Sequence, residues 1–165
     1  MSSFGQITDK NYWDKRWQQF CRIYKISKYD KMWGPKGSFM RIMRRYTGNM
    51  EGIKIIELGG AASYFSLVFA KWGGANVKLI DYSSVGLEKT REIYTLNGCA
   101  IETIEDDFLS WDQGDEQFDL VVHCGLMEHF TDPLILCKRL ISRCVEKIKP
   151  RHDSLHRTGA HVSPT

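Results

Sequence analysis

IKIIELGGAASYFSLVFAKWGGANVKLID, residues 53–81, is the stretch whose reading decides the fold. It opens with a short apolar run over 53–56 that ends on an acid, Glu57. A small-residue turn follows over 58–63, then an apolar helical segment closed by Gly73 and Gly74. A second apolar run over 77–80 ends on Asp81. The pattern predicts strand, tight turn, helix and parallel strand, with an acid at the carboxyl end of each strand. Open α/β sheets bind nucleotides in the crevice outside those ends. Two carboxylates there suit neutral hydroxyl or amine groups better than a string of phosphates.

The chain has 165 residues, one domain by length and enough for a substantial core. Its 42% apolar and 26% charged content is that of a soluble globular protein. No apolar run is long enough to span a bilayer, so no membrane association is expected. Residues 1–10 hold neither an apolar signal core nor an arginine-rich transit pattern. Five cysteines, an odd number without a C-x-x-C pair, are expected as reduced thiols in a cytoplasmic protein. Charge is uneven. Residues 1–50 carry 11 Lys and Arg against 3 acids, a balance of +8, and residues 51–165 carry 12 against 17, a balance of −5. A basic first third could meet an anionic substrate or nucleic acid, or be no more than charged solvent faces.

Working outward toward the N-terminus, residues 9–24 read as an amphipathic helix capped by Asp9, with Trp13, Trp17, Phe20 and Tyr24 on one stripe. Gly34, Pro35 and Gly37 mark residues 25–37 as a loop. Ser38 is expected to cap a second helix whose apolar face is Phe39, Ile42, Met43 and Tyr46. Toward the C-terminus, Ser84 is expected to cap a helix that stops at Asn97 and Gly98. Residues 100–104 alternate as an edge strand, and residues 118–123 read as a strand buried on both faces. A helix from about Thr131 or Asp132 to Pro150 follows, and residues 151–165 lack apolar periodicity and are expected to be a disordered tail. The expected architecture is thus a basic helical cap over 1–50, an α/β doubly wound, mostly parallel sheet over 51–150, and the tail.

The dinucleotide fingerprint G-x-G-x-x-G fits this turn poorly, because Gly59, Ala61 and Tyr64 stand at its three glycine positions. The run Glu57, Gly59, Ala61, Ser63 instead resembles the first motif of class I S-adenosylmethionine-dependent methyltransferases, E/D-x-G-x-G-x-G with small substitutes for two glycines. Asp81-Tyr82, Asp107-Phe108 and residues 118–130, FDLVVHCGLMEHF, are similar to the family's later motifs, and Tyr12-Trp13-Asp14-x-Arg16-Trp17 is similar to its aromatic preface. The resemblance covers residues 9–150. It implies a Rossmann-like fold with strand order 3-2-1-4 and S-adenosyl-L-methionine as cofactor. Gly59, Gly60 and Ala61 would admit its methionine part, with Glu57 acting there through hydrogen bonds. Asp81 would accept the ribose hydroxyls and Tyr82 would lie against adenine. Asp107, or its neighbour Asp106, would take the adenine amino group, with Phe108 following. His123, Cys124 and Gly125 would flank the methyl group, and Tyr12 and Trp13 would belong to a helical lid.

Glu128 and His129 could form a catalytic pair with His129 as general base, or serve structure alone. Cys124 has no activating base nearby in sequence, and His152, His156 and His161 lack partners at ligand spacing, so no metal site is expected. The family's sheet has seven strands, and strands five to seven are not found after Pro150. The expectation is therefore a methyltransferase impaired by C-terminal truncation, acting on an unknown small-molecule, protein or nucleic-acid acceptor. The alternative is a shortened, non-catalytic form that binds the cofactor or a partner. An open edge at the fourth strand would need a partner or a second copy to cover it.

Overall fold

A computed structural model of the chain describes residues 7–20, 22–134 and 137–138. The apolar runs read from the sequence form β1 (Lys54–Leu58) and β2 (Asn76–Asp81), joined by helix α4 (Phe65–Gly73). Three helices precede them: α1 (Lys10–Phe20), α2 (Lys28–Trp33) and α3 (Pro35–Thr47). After them come α5 (Ser84–Leu96), β3 (Glu102–Glu105) and β4 (Leu120–His123). The four strands form one parallel sheet in the order β3-β2-β1-β4, the order that the resemblance implies. Ile55 stands opposite Val77 on one side and Leu120 on the other, and Glu57 opposite Leu79 and Val122.

Alternation along β1 divides the core into two layers. Ile55 joins Leu67, Val68 and Phe69 of α4, Ile93 and Tyr94 of α5, and Met40 of α3. Ile56 and Leu58 face the opposite way, toward Phe108, Leu109, Phe118, Leu126 and Phe130. Helix α4 ends where Gly74 takes the left-handed conformation, φ 71°, and its N–H returns to the Ala70 carbonyl. Helix α5 starts at Ser83, whose hydroxyl accepts the Gly86 N–H at 3.0 Å. It stops at Asn97, followed by Gly98 at φ 67°.

Several sequence expectations need correction. The first helix ends at Phe20, and Tyr24 lies beyond it, packed on the inner layer. Residues 25–37 are not a loop throughout. Ser27 and Asp30 form a reciprocal capping box that starts α2, and Pro35 occupies the first turn of α3 with Gly34, not Ser38, at its N-cap. Gly37 is a packing residue, since a side chain there would collide with the Lys31 carbonyl. Phe39 and Met43 of α3 do pack inward, with Phe39 edge-on to Phe65 at 4.7 Å, and Met40 is buried with them. Ile42 and Tyr46 do not pack inward, being 52% and 83% exposed. Ser83 rather than Ser84 caps α5. Residues 121 and 122 are half-buried and His123 is exposed, so β4 is not buried on both faces. Among the described residues, the segment between β3 and β4 holds turns and no helix. Asp132 accepts the Leu134 N–H at 3.1 Å, as a cap would. The expected helix packing through Ile141, Cys144, Val145 and Ile148, the end at Pro150 and the 151–165 tail lie outside the described residues.

No helix among the described residues is long and apolar enough to cross a membrane. Cys99, Cys124 and Cys137 are free thiols.

Candidate functional site

The carboxyl ends of β1, β2 and β4 open into a cavity of about 480 Å³. Its floor is the turn after β1. Gly59 adopts φ 59° and donates to the Ile80 carbonyl at 2.9 Å, which pins the turn to β2. A side chain at Gly59 would come within 2.6 Å of Leu126, so the turn and the segment after β4 touch here. Ala62 has φ 58°, a conformation that L-residues adopt at a cost of about 1–2 kcal/mol. Its N–H is held at 2.7 Å by the Thr90 hydroxyl, which itself donates to the Gly86 carbonyl at 2.8 Å.

Asp81 ends β2 at this floor and is 6% exposed. Its Oδ2 accepts the Ala61 N–H at 3.1 Å and its Oδ1 the Ser83 N–H at 2.8 Å. Burial raises its pKa; the two backbone bonds act against that, the Asp14 charge adds to it, and Lys10 opposes it. The carboxylate is fixed in orientation by the backbone on either side.

Glu57 is wholly buried, and neither carboxylate oxygen has a hydrogen-bond partner. Desolvation pushes its pKa up to about 7, while the nearby Ser66 and Ser63 hydroxyls, short of bonding geometry, offset part of the rise. A side chain at Gly60 would collide with the Glu57 carboxyl group, so only the bare Gly60 backbone separates this acid from the cavity floor.

The third wall is α1 with the residues before it. Asp9 caps the helix by accepting the Tyr12 N–H at 2.8 Å. Trp13 stacks on Trp17 at 5.5 Å and meets the His129 ring edge-on at 4.8 Å. The Ile7 N–H donates to the His129 carbonyl at 2.9 Å, and Trp13 Nε1–H to the Thr8 hydroxyl at 3.0 Å. The N-terminal segment is thereby tied to the short 3-10 helix at Met127–His129.

Of the residues singled out from the sequence, the cavity brings together Trp13, Gly59, Gly60, Ala61, Asp81, Tyr82, Cys124, Gly125, Glu128 and His129. Glu57 lies directly beneath the floor. Tyr12 is 46% exposed and packs edge-on against the outer side of Trp13. Asp107 does not line the cavity; its Oδ1 caps the Leu109 N–H at 2.9 Å, and Asp106 in turn accepts the Asp107 N–H. Phe108 is a core residue, 3% exposed and edge-on to Phe130. His123 points into solvent at the end of β4. Cys124 is solvent-exposed, and partial desolvation with the nearby Glu57 and Glu128 carboxylates pushes its thiol up, away from a nucleophilic thiolate. Among the described residues no group of His, Cys, Asp and Glu could hold a metal ion.

Thr8, Arg16, Trp17, Ala62, Ser63, Tyr64, Phe65, Leu126 and Phe130 complete the lining. Arg16 and Trp17 carried a sequence signal, since they sit three and four residues after Trp13 on a helix. Tyr64 and Phe65 did not, because α3 places them: Lys36 lies over the Tyr64 ring at 5.1 Å and Phe39 against Phe65.

A methyltransferase-domain family model matches residues 55–151 of the chain. Zebrafish (Danio rerio) EEF1A lysine methyltransferase 2 is 28% identical over 75% of this chain and 55% of its own length. The ubiquinone biosynthesis O-methyltransferase of Haemophilus ducreyi is 28% identical over 76% of this chain and 59% of its own. The chain thus spans little more than half the length of these two curated relatives. In fold it is similar to a SAM-dependent methyltransferase from Thiobacillus denitrificans in complex with S-adenosyl-L-homocysteine, with a TM-score of 0.60 and 13% identity over 87% of this chain and 52% of the other. It is also similar to magnesium protoporphyrin IX methyltransferase from Synechocystis PCC 6803 with bound SAM, with a TM-score of 0.57 and 16% identity over 85% of this chain and 70% of the other. With its parallel 3-2-1-4 sheet and the match across its core, the chain belongs to the methyltransferase-domain family of class I S-adenosylmethionine-dependent methyltransferase fold.

Proposed function

We propose that this chain binds S-adenosyl-L-methionine in the crevice above β1 and β2 and serves methyl transfer to a nitrogen or oxygen nucleophile. The observation that carries the reading is Asp81, buried at the end of β2 with both oxygens oriented by backbone N–H groups. Each oxygen keeps a further lone pair for a hydroxyl, the arrangement a ribose diol needs. The donor set fits the rest of this nucleoside too. The Gly59–Ala61 backbone leaves room for a close approach, Tyr82, Trp13 and Trp17 offer ring faces, and the unpartnered Glu57 carboxylate beneath Gly60 suits a cationic group above it.

The bound cofactor would supply a methyl group on a sulfonium, which is activated without a metal or a covalent enzyme intermediate. The protein's part is then orientation and the exclusion of water. Asp81, Tyr82 and the first turn hold the nucleoside, while Trp13 and Trp17 close the cavity from the α1 side. On the β4 side Cys124 and Gly125 would flank the methyl group, and Glu128 and His129 line the same cavity, where His129 would serve as base for an acceptor's proton. Asp107, Asp106, Phe108, His123 and Tyr12 have supporting roles at most in this reading, because none lines the cavity.

Residues 51–150 act here as the cofactor-binding core and residues 1–50 as its cap. The free thiols of Cys99, Cys124 and Cys137, the cysteines among the described residues, support a reducing, cytoplasmic setting. The outer edge of β4 pairs with no described strand, and a partner or second copy adding there is part of the same proposal, tested by the chain's mass in solution. The decisive experiment is isothermal titration with S-adenosylhomocysteine. One-site binding that Asp81→Ala weakens by roughly a hundredfold supports the reading, and absence of binding by the wild-type chain sinks it.

A further inference from the structure

Asp14 lies on α1, one residue after Trp13, yet its side chain does not face the cavity lining. Its Oδ1 instead accepts a hydrogen bond from the Ser83 hydroxyl at 2.5 Å, across 69 residues of sequence. Ser83 is wholly buried. Its hydroxyl oxygen already accepts the Gly86 N–H, so its one proton is available to a single acceptor, and Asp14 is that acceptor. The backbone N–H of the same serine donates to Asp81 Oδ1 at 2.8 Å. Asp14, Ser83 and Asp81 therefore form a continuous series from the cavity's α1 wall to the carboxylate on its floor.

The contacts around that series are close. A side chain at Gly86 would lie 2.7 Å from Trp17 Cδ1 and 2.6 Å from Ala61 Cβ, so α1, the start of α5 and the first turn meet at one point. A further polar tie of α1 to the sheet side is the ion pair between Lys10 and Glu105 at 2.6 Å, with both side chains about half exposed. Exposed pairs hold little in water. A charge-assisted bond to a buried hydroxyl holds more. A second carboxylate beside Asp81 is also an unfavourable choice for packing alone, since the two acids repel.

We propose that Asp14 is a positioning residue that couples closure of α1 over the cavity to the orientation of Asp81. The proposal rests on the cofactor reading above. When α1 is seated, the bond from Ser83 to Asp14 fixes the serine, and the serine fixes the Asp81 oxygen it donates to. When α1 lifts, Ser83 loses its acceptor, and the backbone N–H that orients Asp81 Oδ1 is held less firmly. Ligand held by Asp81 and covered by Trp13 and Trp17 would then favour the seated helix, and the seated helix would favour ligand.

The test compares Asp14→Ala and Asp14→Asn in the full chain, with and without S-adenosylhomocysteine. Asparagine keeps a carbonyl acceptor for the Ser83 hydroxyl, and alanine does not. Without ligand, Asp14→Ala should speed amide hydrogen exchange in residues 11–20 by roughly tenfold, with β1 and β2 unchanged. The same variant should weaken ligand binding by roughly tenfold, and Asp14→Asn should restore both to within about threefold of wild type. Unchanged exchange in α1 with Asp14→Ala overturns the proposal. So does exchange that rises equally in β1 and β2, or an asparagine variant as impaired as alanine. Failure of the wild-type chain to bind ligand overturns the cofactor reading, while the ligand-free exchange comparison decides the Asp14 tie by itself.

Discussion

The carboxyl ends of β1 and β2 look alike in sequence and differ in physics. Each strand ends its apolar run on an acid, and the two strands are neighbours in the sheet, with Glu57 opposite Leu79, two residues before Asp81. Asp81 is met by two backbone N–H groups, whereas Glu57 is sealed under Gly60 with neither oxygen partnered. One acid is pre-oriented before any ligand arrives. The other is held in a state that lacks a partner, and its pKa of about 7 records what that costs. The difference teaches that two acids closing neighbouring apolar runs need not be held alike: both Asp81 oxygens are engaged by backbone N–H groups, and neither Glu57 oxygen is.

Removing the oriented acid should have the largest effect. Asp81→Ala should weaken S-adenosylhomocysteine binding by roughly a hundredfold, since it deletes charge-assisted bonds and leaves two buried N–H groups unpaired. Calorimetric titration measures this, and a loss under tenfold would refute the assignment. Glu57 should show itself through pH. Below its ordinary value of 4.5 the carboxyl is protonated folded or unfolded, and nothing changes. Between 4.5 and about 7 the unfolded chain ionises while the folded one holds its proton, so stability falls as pH rises and then levels off. The full difference is about 3 kcal/mol by linkage, and denaturant titrations of wild type against Glu57→Gln across this window should show the extra slope only in wild type.

Crowding the boundary between the two acids sharpens the comparison. Gly60→Ala places a methyl against the Glu57 carboxyl group and should destabilise the chain by about 1–3 kcal/mol, read as a lower thermal midpoint. Replacing His123, exposed and outside the cavity, should change ligand affinity by no more than about twofold. A larger loss with His123→Ala would mean that the cavity extends farther along β4 than its described lining.

The first half of the sheet was legible because its signals are local. Residues 53–81 carry the strand period, the small-residue turn and the left-handed Gly74 stop, and these became β1, α4 and β2. The α2 helix carries a local signal as well, Ser27 with Asp30, but the reading as a loop rests on Gly34, Pro35 and Gly37 alone. Those residues serve instead as a helix N-cap, a first-turn proline and a close packing point. Tyr64, Phe65 and Phe130 could not be assigned to the cavity from spacing, because neighbours distant in sequence place them there. Phe108 shows a different limit. Its motif position implies a contact through the backbone, and spacing did not reveal that its ring packs against Phe130 in the core.

The parallel register bears on how the crevice assembles as the chain folds. Ile55 pairs with Val77, 22 positions along, and with Leu120, 65 positions along. Closing the longer loop costs about 1 kcal/mol more in chain entropy. On that ground chain entropy favours the β1–β2 pairing, which brings both acids together, over the pairing that adds the β4 wall with Glu128 and His129. The floor that holds Asp81 is thus set by the shorter loop, and the wall that holds Glu128 and His129 by the longer one.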